Sequence, residues 1–230
     1  MSDQKQQLIS LYMDWMSQPS RCVAIFCMIN KIPVDISEVK ILKGQLRSQE
    51  YKRINPNMRV PTIKDGNFVL YESHAILKYL IASNAQSIPE HWYPKDIKER
   101  ALVDQYLDWH HTNIRNAGMY IFNYFVLPIL GIQSKQNKET IYKLFIQSLK
   151  IIDTIFLADK PYIASNEKAT IADLSCYCEI TQVSLIDFDF SPYPNILKWM
   201  QRLTTEYPEL VEGHQPFMKF VQKIKEKQNL

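Results

Sequence analysis

Two serines stand where a strand gives way to a helix. Ser17-Gln18-Pro19-Ser20 follows the apolar run Leu8 to Met13 and precedes a helical spacing carried by Val23, Ala24, Phe26, Cys27 and Asn30. A hydroxyl there is aimed along the axis of the following helix, where unpaired backbone N–H groups and the positive end of the dipole favour an anion. Pro19 suits the first turn, because its missing N–H would find no partner there anyway. A second helix opens with Glu72-Ser73, an acid and a hydroxyl that satisfy the first free N–H groups or hold a carboxylate. Val60-Pro61 is one X–Pro bond among several, and X–Pro bonds are the ones open to the cis form.

The elements around these residues spell out one α/β unit. Leu8 to Met13 reads as a buried strand, the pattern from Arg21 as a helix, and Val34 to Val39, with its alternating polarity, as a half-buried strand. Such a crossover makes the two strands parallel. Gly44 to Ile54 is polar and loosely helical. Thr62-Ile63-Lys64, the hairpin signal Asp65-Gly66 and Asn67 to Leu70 then predict two antiparallel strands. Glu72 to Ala82 is helical, so the order is β-α-β-α-β-β-α.

After a linker at residues 85–92 the strand signals stop. Val103, Tyr106, Leu107, His110 and Ile114 share one helical face, as do Ile141, Phe145, Leu149, Ile152 and Phe156. Thr170-Ile171-Ala172-Asp173 fits a capping box and opens a helix towards Val183. A further helix spans Ile196 to Leu203, and Pro208 separates it from a last one. The predicted domains are residues 1–84, α/β, and 93–230, all-helical.

Composition narrows the function classes. The chain has 230 residues, 46% hydrophobic and 22% charged, with 27 basic and 24 acidic residues for a net charge of +3. That balance gives no argument for nucleic acid. Lys219, Lys223, Lys225 and Lys227 read as the solvated face of a last helix. Cys22, Cys27, Cys176 and Cys178 have neither the density of a disulfide framework nor paired CxxC spacing, which fits core packing in a reducing compartment. No apolar run approaches the roughly 18–20 residues that span a bilayer. Met1 to Gln7 shows neither a secretory nor a transit pattern, so the expected location is cytoplasmic. No His, Cys, Asp or Glu spacing suggests a metal. Five glycines and no phosphate loop argue against a nucleotide fold.

Several motifs in this order and spacing resemble the cytosolic glutathione transferases, and the theta class most closely. They are Leu11 through Arg21, Lys43-Gly44-Gln45, Asn55-Pro56 with Val60-Pro61, Asp65 to Phe68, Glu72-Ser73-x-Ala75-Ile76, Trp92-Tyr93-Pro94, Val103-Asp104-x-Tyr106-Leu107, Trp109-His110, Arg115 and Thr170 to Asp173. The resemblance implies a thioredoxin-like N-terminal domain that binds glutathione and a helical domain that forms most of a second-substrate pocket. It implies a homodimer, with a small electrophilic or hydrophobic compound as co-substrate.

In that frame Ser17 is the catalytic residue, donating a hydrogen bond to the glutathione thiolate. Thioredoxin-like redox proteins place CxxC at this turn; here Ser17 and Ser20 occupy those slots, which argues against disulfide exchange. Val60, beside a cis Pro61, is implied to pair with the cysteinyl backbone. Glu72 and Ser73 are implied to hold the γ-glutamyl end. Lys43, Gln45, Arg47 and Arg59 are the cationic and polar candidates for the glycyl carboxylate. Trp15, Arg115 and Tyr120 are expected at the second substrate, and the aromatics Tyr120, Phe122, Tyr124 and Phe125 read either as pocket wall or as core. The chain departs from its class at Leu46, where theta proteins carry His after Lys-Gly-Gln. Losing that donor is expected to weaken glutathione binding by about 1–2 kcal/mol. The chain also stops soon after Lys227, without the longer extension that caps some theta sites, so a more open pocket is expected. The rival reading is a non-catalytic relative serving as an interaction module or as an accessory subunit of a larger complex.

Overall fold

The computed structural model describes residues 8–228; the polar opening Met1 to Gln7 lies outside them. Strand β1 (Ile9–Met13) pairs in parallel with β2 (Val34–Glu38), Leu11 opposite Ile36, and helix α1 (Gln18–Ile29) makes the crossover. β3 (Thr62–Asp65) lies antiparallel against the other side of β1 and turns at Gly66 into β4 (Phe68–Tyr71). The order is β2-β1-β3-β4, a mixed sheet with the site-bearing strand in the middle.

α1 begins at Gln18, ahead of the Arg21 start expected from apolar spacing. Its first turn carries no apolar residue to signal a helix, yet Pro19 is accommodated there without loss of a bond. Cys22 to Cys27 are all buried, so this helix is wrapped by sheet and helices on every side. Between β2 and β3 run two short 3₁₀ turns, Ile41–Lys43 and Gln45–Arg47, and helix α2 (Gln49–Ile54), capped by the Ser48 hydroxyl, which accepts from Tyr51 N at 3.1 Å.

Helix α3 (Ser73–Ser83) closes the α/β unit. The helical part comprises α4 (Ile97–Thr112), α5 (Arg115–Ile121), α6 (Lys138–Ile151), α7 (Ile171–Ile180), α8 (Pro194–Glu206) and α9 (Glu209–Gln228). α5 and α6 each run on into a π turn, Phe122–Val126 and Ile152–Phe156.

α7 is the hub. Every one of its residues is buried, and it starts with the expected capping box. The Asp173 carboxylate accepts from Thr170 N (2.8 Å), Ile163 N (2.8 Å) and Trp199 Nε1 (2.9 Å), so one side chain fixes the helix start, the preceding loop and α8. α7 packs on α1, as does α9. Gly213 of α9 permits that approach: a Cβ there would meet Ile25 Cγ1 at 2.3 Å. Trp92, in the stretch between the two parts, is buried edge-on against Phe26 of α1, with ring centroids 5.5 Å apart. No described helix is long and apolar enough to cross a membrane.

Candidate functional site

Asp14 shapes the turn between β1 and α1. Its buried carboxylate accepts from Met16 N at 3.0 Å and from Ile41 N at 2.6 Å, while its carbonyl accepts from Ser17 N at 2.9 Å. Ser17 is the N-cap residue of α1 in extended conformation, but its hydroxyl makes no capping bond. A cap serine spends its oxygen on the second or third helical N–H; this one is left to face a cavity.

Two cavities meet at this point. The smaller, about 130 Å3, is polar and includes Asn55, Val60-Pro61, Glu72, Ser73 and His74 in its wall. The larger, about 540 Å3, is mostly apolar and is lined by Ser17, Met16, Leu46, Phe122, Phe217 and Phe220 among others. Gln18, Arg59, Val60, His111 and Arg115 border both. The Val60–Pro61 bond is cis. The loop that presents it is pinned from beneath: Tyr51 Oη and Asn55 Nδ2 both donate to Arg59 O, at 2.5 and 2.9 Å. Glu72, at φ +71°, sits in the left-handed region that costs a non-glycine residue about 1–2 kcal/mol. Its carbonyl holds that conformation by accepting from Ile76 N at 2.9 Å.

The sequence-predicted residues divide in two. Ser17, Leu46, Arg59, Val60, Pro61, Glu72, Ser73 and Arg115 lie on the cavity walls. Leu46 belongs to the large apolar cavity and packs against the cluster of Val39, Tyr51 and Val60. Lys43, Gln45 and Arg47 border neither cavity; Gln45 Oε1 accepts from Lys40 N at 2.6 Å, within its own loop. Trp15 presents its carbonyl to Arg21 Nη1 at 2.7 Å. Tyr120 is buried among Tyr124, Phe125 and Tyr142, and of that aromatic run Phe122 is the one that reaches the cavity.

Four buried residues organise the site: Glu179 and His74, to which the sequence reading gave no role, and Arg21 and His110, which it placed only on helical patterns and motifs. Glu179, 2% exposed, accepts from Arg115 Nη1 (2.9 Å) on one carboxylate oxygen, with His110 Nε2 at 3.5 Å. The other oxygen accepts from Gly118 N (3.0 Å) and Gln18 Nε2 (3.3 Å). Burial pushes the Glu179 carboxyl up, but the Arg115 charge and His110 outweigh it and hold it below the usual carboxylate range. Burial lowers His110 despite Glu179, and lowers His74 further with His110 and His111 beside it, so both are neutral. Arg21, fully buried, donates to Trp15 O and to Gln182 Oε1 (2.7 Å) and lies 4.2 Å over the Phe217 ring of α9. Burial brings its pKa down to about 10, partly offset by Cys178 and Glu179, and it stays a cation. A lone acid or base inside an apolar run was the available signal, since a buried charge requires a partner. Among the described residues no group of three or more His, Cys, Asp or Glu is placed to hold a metal.

A mixed sheet with a cis-proline loop, a free hydroxyl at a helix start and a helical second half together define the glutathione transferase architecture. Residues 11–87 match the model of the glutathione S-transferase N-terminal domain and residues 121–206 that of the C-terminal domain. Glutathione S-transferase T1 of Arabidopsis thaliana is 36% identical over 220 residues, covering 92% of this chain and 89% of that protein. Glutathione S-transferase T3 of the same plant is 39% identical over 201 residues, 84% of this chain; the match spans only 34% of that longer relative. A crystal structure of human glutathione transferase theta-2, in complex with glutathione and an unknown ligand, superposes with a TM-score of 0.87 at 34% identity, over 95% of this chain and 91% of that one. The chain belongs to the glutathione S-transferase family, and its relatives place it in the theta class.

Proposed function

We propose that this chain is a glutathione transferase in which Ser17 donates a hydrogen bond to the glutathione sulfur and stabilises the thiolate for attack on a small electrophilic or hydrophobic compound. The observation that carries the reading is the Ser17 hydroxyl, uncommitted to its own helix, in a residue that lines the apolar cavity next to Gln18, which borders both cavities. A thiol near pKa 8.5 lowered by about two units requires roughly 2.7 kcal/mol of thiolate stabilisation. A charge-assisted hydrogen bond and the N-terminus of α1 supply that order of magnitude.

In this reading the polar cavity takes the tripeptide. The Val60 backbone pairs with the cysteinyl unit, Ser73 and its helix start hold the γ-glutamyl carboxylate, and Glu72 faces the ammonium. Arg59, on the border of both cavities, is the cation best placed for the glycyl carboxylate. Lys43, Gln45 and Arg47 act at longer range or after a loop movement. The apolar cavity, with Arg115 at its mouth, receives the electrophile. Leu46 adds to that apolar wall, which supports a role towards the second substrate over one towards glutathione. The protein acts as a homodimer in the cytoplasm; four free, buried cysteines suit a reducing compartment. The α/β domain at residues 1–84 and the helical domain at 93–230 divide the two substrates between them.

Calorimetric titration with glutathione tests this, paired with conjugation of an aryl or aralkyl halide by wild type and Ser17→Ala. Wild type binds glutathione at millimolar concentration or tighter. Ser17→Ala binds it with similar affinity but loses about 10- to 100-fold in conjugation rate near neutral pH, the worth of one charge-assisted hydrogen bond. Absence of binding by wild type refutes the enzyme; an unchanged rate in Ser17→Ala refutes the role of that hydroxyl.

A further inference from the structure

Glu179 accepts three hydrogen bonds, from Gln18 of α1 and from Arg115 and the Gly118 amide of α5, and has His110 Nε2 of α4 3.5 Å away. Stability alone does not explain this arrangement, because burying an ion pair returns little net free energy. What the donors share is their place. Gln18 is the residue after Ser17 and borders both cavities, and Arg115, from α5, borders both as well. The carboxylate thus ties the first turn of α1 to Arg115, the one Lys or Arg of the helical half that borders both cavities among the described residues.

We propose that Glu179 is a positioning residue for the transfer reaction: it fixes Gln18, and with it the Ser17 hydroxyl, and it holds and neutralises Arg115 beside the place where the thiolate forms. The proposal rests on the glutathione transferase reading. Its electrostatic side follows from the charges nearby. A carboxylate behind the site opposes thiolate formation, and the Arg115 pair cancels that opposition. The other groups facing Glu179 are the Arg21 cation of α1, Tyr106 and the neutral His110 of α4, and Cys176 and Cys178 of its own helix. From α3 the neutral His74 packs against His110, ring centroids 5.1 Å apart. Arg115 is therefore the charge that Glu179 controls most directly, and it is one-third exposed, free to swing if released.

Glu179→Gln and Glu179→Asp separate charge from geometry. The thiolate of bound glutathione is followed by its ultraviolet absorbance against pH, without any electrophile, and kcat and KM are measured alongside. Glu179→Gln, which removes the charge and frees Arg115, is expected to titrate the thiol about one pH unit lower than wild type, the effect of one charge across several ångströms of half-solvated site. Glu179→Asp, which keeps the charge but retracts it, is expected to titrate the thiol above the wild-type pH while kcat falls about 10-fold, because Gln18 and with it the Ser17 hydroxyl lose their anchor. If Glu179→Gln fails to fold, the Glu179→Asp pair of readouts decides. Unchanged titration and kcat in the folded variants, with only a lowered melting temperature, would make Glu179 a structural brace and overturn the proposal. Wild type that binds no glutathione overturns the underlying reading as well, so the two failures are distinguishable.

Discussion

Gly118→Ala sets two rules against each other at one atom. Gly118 lies inside α5, where replacing glycine by alanine in open space stabilises a helix by about 1 kcal/mol. The space is not open. A Cβ on Gly118 would stand 2.0 Å from Gln18 Nε2 and 2.2 Å from Glu179 Oε1. The Gln18 amide is the end of a flexible chain and can retreat, at the cost of its 3.3 Å bond to Glu179. The Glu179 carboxylate cannot retreat freely, because Arg115 and the Gly118 amide hold it at 2.9 and 3.0 Å. Forcing a methyl into such a site costs about 1–3 kcal/mol, and a lost hydrogen bond to a charged group about 1.5–3 kcal/mol more. After the helix gain is subtracted, the expected net loss is about 1.5–5 kcal/mol.

For a chain of this size that loss lowers the melting temperature by about 3–20 °C, which calorimetry or circular dichroism resolves easily. Conjugation activity should fall with it, since Gln18 adjoins Ser17. Gly131→Ala is the control. Its φ of +69° makes alanine strained, but nothing stands within 4 Å of the new methyl. It should cost about 1–2 kcal/mol from backbone alone and leave activity untouched. A Gly118→Ala protein that melts higher than wild type would falsify the packing argument and take the proposed link between α1 and α5 with it.

Two further outcomes follow from the same geometry. Leu46→His should raise KM for an apolar electrophile more than it changes KM for glutathione, because position 46 lines the large cavity; steady-state kinetics with each substrate varied in turn decides, and the reverse order would return position 46 to the glutathione site. His214 should make the fold acid-sensitive. Its Nδ1 donates to Leu210 O at 2.7 Å, leaving Nε2 to accept from the Thr181 hydroxyl at 2.8 Å, and burial lowers its pKa from 6.5 to about 3, with Arg21 nearby acting in the same direction. Because the folded pKa lies below the unfolded one, this contribution is whole above pH 6.5 and is lost as pH falls towards 3. Between about pH 7.5 and 5 it removes about 2 kcal/mol. Urea unfolding of wild type and His214→Gln should differ in pH slope by that amount, and parallel slopes would refute the assignment.

How far the sequence could be read depends on how local each signal is. The Asp65-Gly66 hairpin, the capping box at Thr170 to Asp173 and the turn at Ser17 are written within a few neighbouring residues, and the structure places each where local chemistry calls for it. The start of α1 was displaced because Gln18-Pro19-Ser20 contributes no apolar period. Placement on the cavity walls was harder to read. Lys43, Gln45 and Arg47 share a loop with Leu46, yet two 3₁₀ turns in succession send Ile41, Leu42 and Leu46 to a wall and leave those three off it, and no spacing rule reports such turns. Tyr120 and Phe122 stand two apart in one aromatic run and face different ways because residues two apart lie about 200° round a helix. Gln18 and Glu179 are 161 residues apart in sequence, so their bond leaves no local pattern at all.

What the sequence did carry for such residues was an anomaly in place of a motif. Arg21 precedes Cys22-Val23-Ala24-Ile25-Phe26, and Glu179 interrupts Cys176-Tyr177-Cys178 and Ile180; each is a formal charge in a stretch whose neighbours are otherwise fit for a core. A charge in that position must be paired, titrated or expelled, and α1 and α7 are packed together, so expulsion is closed to both. The two solutions are complementary. Arg21 reaches across to carbonyls and to Gln182 at the end of α7, and Glu179 reaches back to Gln18 at the start of α1. The first turn of α1 is thereby held by opposite charges on either side of the domain boundary, and Ser17 sits at the tip of what they hold. A hydroxyl on a loose loop has to be ordered each time it is used; at Ser17 that ordering is supplied in folding, by the buried partners of α1.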